Sequence, residues 1–380
     1  MNAADGLDTR HPHKQPTKNA LYAERAGSTI RSLSAHEPDM KHTTRRQLLR
    51  NAAAALTALA GLMPAGAALA APPLLNVSYD VSREFYKDYN KAFAAHWKKT
   101  TGEDIVLNQS HGGSSKQARG VIEGLEADVI TMNQALDIDV VADKGLIAAD
   151  WAKRLPNNAA PTSSMTIFLV RKGNPKGVKD WADLARPGTS VIIPNPKVTG
   201  NGRYGYLAAW GSVIKAGGTP AQARDLTQKI FANVPVFDGG GRAATTTFAQ
   251  RNMGDVLVTF ESEVQSIVEE FGKNFDMVYP KSTVLAENPV AVVDKVVDRK
   301  GSRKQAEAYL KYLWSEEAQE IAAKHNLRVR DPKVVAKYAK DFPAVPTFTV
   351  DEIFGSWKKA QAEHFNDGGV YDQILGASRK

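Results

Sequence analysis

The sequence predicts an α/β protein of two domains, and three observations carry that prediction. The chain has 380 residues, enough for two domains of ordinary size. Short β-rich runs alternate with segments of helical period, the pattern of α/β folds with largely parallel sheets. A composition that is 43% apolar and 24% charged allows a sizeable buried core. The absence of cysteine excludes a disulfide scaffold, a zinc ribbon, an iron–sulfur centre and a cysteine nucleophile.

The first 70 residues do not read as fold. Residues 1–40 are polar, patternless and balanced in charge. From Met40 the character changes. Lys41 leads into Thr43-Thr44-Arg45-Arg46-Gln47-Leu48-Leu49-Arg50, then an Ala/Leu-rich run to Ala68-Leu69-Ala70. These are the basic region, apolar region and small-residue cleavage site of an export signal. Arg45-Arg46 before Leu48-Leu49 resembles its twin-arginine variant, with the general secretory route left open. A transmembrane anchor competes, but the run is Ala-dominated and holds Pro64 and two glycines, Gly61 and Gly66. Cleavage is expected after Ala70, with the signal proper over about residues 40–70 and either Met1 or Met40 as the start.

This divides the formal charge of +8. The balanced residues 1–40 contribute nothing, while Lys41, Arg45, Arg46 and Arg50 contribute half, leaving +4 for residues 71–380. No three consecutive Lys or Arg occur there, so nucleic acid is not an expected partner.

In order along the chain, strands are expected at 75–79, 105–108, 128–132, 166–170, 191–194, 234–237, 255–260, 277–279 and 290–293, each an apolar run bounded by turn residues. Phe85, Tyr89, Phe93 and Trp97 recur every four residues, and Tyr309, Leu310, Tyr312, Leu313 and Trp314 form a second helical stripe. Both stripes are read as core. Pro332, Pro343 and Pro346 punctuate the C-terminal part, and 350–357 reads as a late helix.

Four strand-to-helix junctions are rich in Gly, Ser, Thr and Asn. They are Ser78-Tyr79-Asp80-Val81-Ser82, residues 109–116 around His111-Gly112-Gly113-Ser114, residues 195–203 around Thr199-Gly200-Asn201-Gly202, and residues 238–247 around Gly239-Gly240-Gly241. Each would place free backbone N–H groups and the positive end of a helix at the carboxyl edge of a sheet. One such loop is ordinary capping. Four converging would form an anion site.

Competing chemistry is thin. Gly200-Asn201-Gly202-Arg203-Tyr204-Gly205 matches G-x-G-x-x-G, but Asp225, at the spacing of the ribose-binding acid, falls in a helical stretch rather than at a strand end. His96, His111, His325 and His364 have no metal-ligand spacing, and no nucleophile elbow or P-loop occurs. Neither metal nor cofactor is expected. Glu261 and Glu263 are read as structural, each paired with a basic neighbour.

At these same junctions the chain resembles the bacterial periplasmic sulfate/thiosulfate-binding proteins, the solute-binding components of ABC importers. The resemblance runs from about Leu74 to the C-terminus. It rests on Ser78-Tyr79-Asp80-Val81-Ser82-Arg83-Glu84, Gln109-Ser110-His111-Gly112-Gly113-Ser114-Ser115-Lys116-Gln117-Ala118, Phe168-Leu169-Val170-Arg171-Lys172-Gly173-Asn174-Pro175-Lys176, Tyr206-Leu207-Ala208-Ala209-Trp210-Gly211 and Gly254-Asp255-Val256-Leu257. It implies a two-lobed type II binding-protein fold with a ligand cleft between lobes, lobe one being 71–170 plus 281–380 and lobe two 171–280, and it implies no enzyme. Expected partners are sulfate or thiosulfate and the permease subunits of a transporter, with the protein a monomer in the periplasm.

Carried over by position, the resemblance implies anion donors at the backbone of Asp80, the hydroxyl of Ser114, the loop Thr199-Gly200-Asn201 and the backbone of Gly241. Ser82, Ser115, Asn133, Gln134, Arg203 and Arg242 are expected near the ligand, the two arginines bracing the loops rather than touching the anion. Two departures from the sulfate branch stand out. The loop is Thr-Gly-Asn rather than Ser-Gly-Gly, and Phe260 replaces a tryptophan that donates its indole N–H. With Asn133-Gln134, Thr245-Thr246-Thr247-Phe248 and Phe260-Glu261-Ser262-Glu263, the chain resembles the thiosulfate branch more closely, and a terminal sulfur would pack on the Phe260 ring. The pocket is expected to hold backbone N–H and hydroxyl donors and no carboxylate acceptor.

Overall fold

The computed structural model describes residues 72–378; the extension and export signal expected over 1–70 lie outside the described residues. The strands are β1 (Leu74–Tyr79), β2 (Leu107–Gly112), β3 (Val129–Thr131), β4 (Thr162–Arg171), β5 (Val191–Pro194), β6 (Phe237–Asp238), β7 (Val256–Phe260), β8 (Phe275–Val278), β9 (Thr283–Asn288), β10 (Val290–Val292), β11 (Arg328–Val329) and β12 (Thr347–Phe348). They form two sheets. The first has the order β10-β3-β1-β2, and the second runs β12-β9-β4-β7-β5-β6 with β8 and β11 also paired to β4.

The expectation of largely parallel sheets holds around β1 and β5 and for the short pair of β12 with β9. β1 lies parallel to β2 and β3, and β5 lies parallel to β6 and β7. The longest strand, β4, has antiparallel neighbours in β7, β8, β9 and β11. The chain leaves the first sheet after β3, enters the second through β4 and returns through β9 to β10. β4 and β9 pair from Thr162↔Asn288 to Met165↔Leu285, which makes them the two crossing strands between the sheets.

β9 had no counterpart in the sequence analysis. The strand expected at 105–108 runs instead from Leu107 to Gly112, because β1 offers a parallel partner for each residue up to Tyr79↔Gly112. That pairing carries polar residues 108–111 into a strand that hydropathy alone reads as loop.

Both aromatic stripes are core. Phe85, Tyr89, Phe93 and Trp97 of the helix Arg83–Thr101 pack with Tyr309, Leu310, Tyr312 and Leu313 on one face of the first sheet. Tyr89 meets Tyr309 edge-on at 5.0 Å, a favoured aromatic geometry.

The C-terminal residues 281–380, expected together in lobe one, divide. β10, the helices Arg303–Tyr312 and Glu316–Lys324 and part of their surroundings pack with the first sheet. Phe348, Trp357, Phe365, Tyr371 and Ile374 pack instead with Tyr204, Tyr206 and Trp210 beside the second sheet. The reason lies in the helix Gly200–Lys215, whose residues from Gly200 to Gly211 are all buried. A helix whose apolar residues Tyr204, Tyr206, Leu207 and Trp210 are all buried needs cover on the side away from its sheet, and the C-terminal segment supplies it. Gly211 permits the contact, because a Cβ there would lie 2.3 Å from the Phe348 ring.

Candidate functional site

Each of the four junctions ends a strand of one sheet and opens a helical turn. Asp80 follows Tyr79 of β1 and starts a short 3₁₀ turn. Ser114 follows β2 and opens the helix Ser114–Ile122. Thr199, after β5, caps the helix Gly200–Lys215 by accepting the Gly202 N–H at 3.0 Å, and Gly241, after β6, opens the turn Gly241–Thr245. Asp80 and Ser114 thus come from the first sheet, and Thr199, Gly200, Asn201 and Gly241 from the second.

The structure brings these loops into contact across the cleft. A Cβ on Gly200 would lie 2.3 Å from Asn133 Oδ1, and one on Gly240 would lie 3.4 Å from Asp80 Oδ2. Arg203 donates from Nη1 to Ser115 Oγ at 2.9 Å, joining the second sheet's helix to the first sheet's. Gly200 is required here by approach alone, since any side chain would enter the Asn133 amide. A cavity of about 170 Å³ opens beside the contact, lined by Asp80, Arg83, Arg242, Glu263 and Glu270 among others.

Around this seam several deeply buried polar atoms have no hydrogen-bond partner: Asn133 Oδ1, Gln134 Oε1, Asn201 Oδ1 and Arg203 Nε. Asn133, Gln134, Asn201 and Arg203 are at most 7% exposed. Buried polar groups are normally satisfied, and each orphan carries a free-energy cost. An amide can present its NH₂ after a half-turn, so Asn133 is able to serve as donor or acceptor.

The remaining predicted residues fall outside the gap itself. Ser82 is committed to Ser78 Oγ at 2.6 Å and Tyr79 O at 2.7 Å. Ser115 and Gln134 both donate to the buried Asp137 carboxylate, at 2.9 and 2.8 Å; burial raises the Asp137 pKa and Arg203 opposes the rise. The Arg242 side chain turns outward to Glu270 at 2.6 Å, while its backbone N–H faces the Asp80 carboxyl. Phe260 is 2% exposed in the core beside the second sheet, edge-on to Tyr204 at 5.6 Å.

Two expectations about carboxylates are corrected. Glu261 does pair with a base, gripping Arg328 through two bonds of 2.6 and 2.9 Å. Glu263 does not, and it brings a carboxyl to a seam expected to hold none. It is 5% exposed and accepts the Asn201 Nδ2–H at 2.7 Å, and a Cβ on Gly241 would lie 3.2 Å from its Oε1. Burial pushes its pKa up to about 8, with the Asp80 charge adding to the rise. Burial raises Asp80 as well, against its bonds to backbone N–H groups, among them Val81 N at 3.1 Å. The sequence offered one signal for Glu263, its place three residues beyond the strand end at Phe260, but nothing to separate it from Glu261.

Other regions suit a dianion less well. A cavity of about 380 Å³ beside Tyr204 and Trp357 carries Asp139, Glu287 and Asp351 with Lys358, and none of the four strand-to-helix junctions opens into it. Among the described residues no group of three or more His, Asp or Glu is placed to hold a metal ion, and no helix is long and apolar enough to cross a membrane. Asp225, the acid required by a dinucleotide reading, lies within the helix Pro220–Ala232 and is paired with Lys229.

Comparison with known proteins places this geometry. Residues 79–328 match the family model of the bacterial extracellular solute-binding proteins. The chain is 62% identical over 317 residues to a thiosulfate-binding protein of Pseudomonas aeruginosa, covering 83% of this chain and 96% of that one. It is 54% identical to a sulfate-binding protein of Escherichia coli over 79% of this chain and 92% of the relative. The structure superposes on the sulfate-binding protein SubI of Mycobacterium tuberculosis with a TM-score of 0.70 at 30% identity, covering 76% of this chain and 98% of that one. A two-lobed α/β fold with one sheet per lobe and a polar seam between them accords with these matches, and the chain belongs to the bacterial extracellular solute-binding proteins, as a homologue of their sulfate- and thiosulfate-binding members.

Proposed function

We propose that this protein is the solute-binding component of an ABC importer that takes up thiosulfate and/or sulfate in the periplasm and delivers it to the membrane permease for sulfur assimilation, as a monomer that catalyses no reaction. Its export by the signal over residues 40–70, by the twin-arginine or the general secretory route, is part of the same reading. One observation carries the ligand assignment. Strand-end loops of both sheets meet where Asn133 approaches Gly200 and Asp80 approaches Gly240, beside buried amide oxygens of Asn133, Gln134 and Asn201 that lack partners.

The anion would sit between Asp80 and Ser114 on one side and Thr199, Gly200, Asn201 and Gly241 on the other. Both dianions are fully deprotonated near neutral pH and present acceptors only. Backbone N–H groups, hydroxyls and helix starts spread their charge over many dipoles, so no Arg or Lys need touch the ligand. The two carboxyls nearby do not make the site a phosphate acceptor. Asp80 is occupied with backbone N–H groups, and Glu263, with a pKa raised to about 8, is mostly protonated at pH 7. A phosphate that keeps a proton finds no ionised carboxylate free to accept it and is disfavoured.

Closure follows from the same contacts. A ligand that binds both sides favours the state in which they meet, and β4 and β9 are the strands about which the lobes would turn. The preference for thiosulfate rests on the higher identity to a thiosulfate-binding relative; Phe260, expected to meet the ligand, is instead packed in the core against Tyr204.

Thermal unfolding tests the reading. Ligand bound only by the folded state at 100 times its Kd stabilises by about 2.7 kcal/mol, so thiosulfate and sulfate should each raise the Tm by several degrees at matched ionic strength. Molybdate and phosphate should not. A shift with molybdate or phosphate alone would point to a related oxyanion binder. A shift with a nicotinamide or flavin nucleotide would point to an oxidoreductase using the Gly200–Gly205 loop.

A further inference from the structure

We propose that Glu263 is a positioning residue of the anion site that works only as a neutral carboxylic acid: it holds the Asn201 amide, and through it the Thr199–Asn201 loop, and must keep its proton for a dianion to enter. This deepens the ligand reading above and rests on it.

Geometry argues for the role. Glu263 Oε1 accepts Asn201 Nδ2–H at 2.7 Å, and Gly241, which opens a helical turn of the same lobe, lies against the carboxyl, a Cβ there falling 3.2 Å from Oε1 and 3.4 Å from Oε2. Two backbone segments assigned to the anion therefore touch one carboxyl. Among the described residues no Lys, Arg or His pairs with it, whereas its neighbour Glu261 is held by Arg328. The groups facing it are Asp80 and Tyr79 from the end of β1 and Arg242 from the Gly241 turn, with Arg83, Glu84 and Glu270 farther along the cleft wall. The Arg242 guanidinium is exposed and spent on Glu270, so the net field at Glu263 favours the proton, consistent with its raised pKa.

A dianion beside this carboxyl would be repelled by its ionised form. The neutral acid avoids that repulsion, still accepts the Asn201 bond through Oε1, and leaves the second oxygen as a donor. Ionisation would thus compete directly with the ligand. The sign follows: affinity is full while Glu263 is protonated and is lost as pH rises through its pKa in the free protein, near 8. Sulfate and thiosulfate do not titrate in that range, so the ligands contribute no pH dependence of their own.

The test is the Kd for thiosulfate and for sulfate, measured by titration calorimetry on the purified protein from pH 6 to pH 9.5. The expected profile is flat to about pH 8 and then falls about tenfold per unit, the limit for one obligatory proton. Glu263→Gln keeps the amide contact without a titrating group, and whatever its affinity at pH 7, its profile should be flat to pH 9.5. A wild-type profile flat to pH 9.5, or an equal fall in wild type and Glu263→Gln, overturns the proposal. Should the variant fail to fold, the wild type alone decides. Calorimetry in buffers of different ionisation enthalpy should show close to one proton taken up per anion at pH 9 and almost none at pH 6.5, and no uptake at pH 9 overturns it. Absence of binding at pH 7 would defeat the ligand reading itself, whereas binding with a flat profile defeats only the role of Glu263.

Discussion

Glu261 and Glu263 leave the same strand two residues apart, both nearly excluded from water, and end in opposite surroundings. Glu261 faces away from the cleft and meets Arg328, which is itself only partly exposed, in a two-bond ion pair. Glu263 faces the cleft and meets an amide, a glycine turn and another carboxyl. The first arrangement satisfies a buried charge and ties β11 to the end of β7. The second leaves a charge unsatisfied and is tolerable only with a proton on it. One wall of the lobe is built for stability, and the other gives stability up where two lobes must meet a ligand.

This contrast predicts that cleft and outer-wall substitutions separate into two classes. The largest effect is expected from Glu263→Gln on the ligand-free protein. The folded-state pKa of Glu263 lies above its value of 4.5 in an unfolded chain, so the stability it permits is full below that value and is lost as pH rises toward 8. The variant should match wild type at pH 4.5 and exceed it at pH 8 by as much as about 4 kcal/mol, an upper figure for a shift of this size. Denaturant unfolding at the two pH values measures it. Equal stability at both would mean that Glu263 is as well satisfied as Glu261.

Arg328→Ala should act in the opposite sense. It strands Glu261, which is 3% exposed, and breaking such a pair costs about 3 kcal/mol, while thiosulfate affinity of the folded protein stays within about twofold. A large loss of affinity at unchanged stability would erase the distinction between the walls.

Gly200→Ala should spare the fold and strike the ligand. Its Cβ would sit 2.3 Å from Asn133 Oδ1, and over-packing of this kind costs about 1–3 kcal/mol, or roughly 10- to 100-fold in Kd. An unchanged Kd would mean that the lobes need not approach this closely. Ser114→Ala is the smallest change. Removing one hydroxyl donor should weaken thiosulfate by about tenfold with little change in Tm, read by titration, and an unchanged affinity would remove Ser114 from the site.

The sequence and the structure agree unevenly along the chain, for physical reasons. The aromatic stripes at Phe85–Trp97 and Tyr309–Trp314 were legible because helical period survives in any packing that buries them. The capping loops at Thr199 and Gly241 were legible because turn chemistry is local. β9 and the polar half of β2 were not, since pairing with a distant strand decided them. The C-terminal segment was misassigned because nothing local shows that the Gly200 helix needs cover on two sides. Glu263 was missed for a related reason. Its difference from Glu261 lies in Arg328 and Asn201, more than sixty residues away in either direction.

The central claim is that loops from both lobes close on a sulfur oxyanion. Titration calorimetry of the ligand-free protein at pH 7 with thiosulfate and with sulfate tests it most directly. The account predicts one site per chain for each anion and mutual competition between them. Absence of heat with both anions, under conditions where the protein is folded and free of ligand, would contradict it.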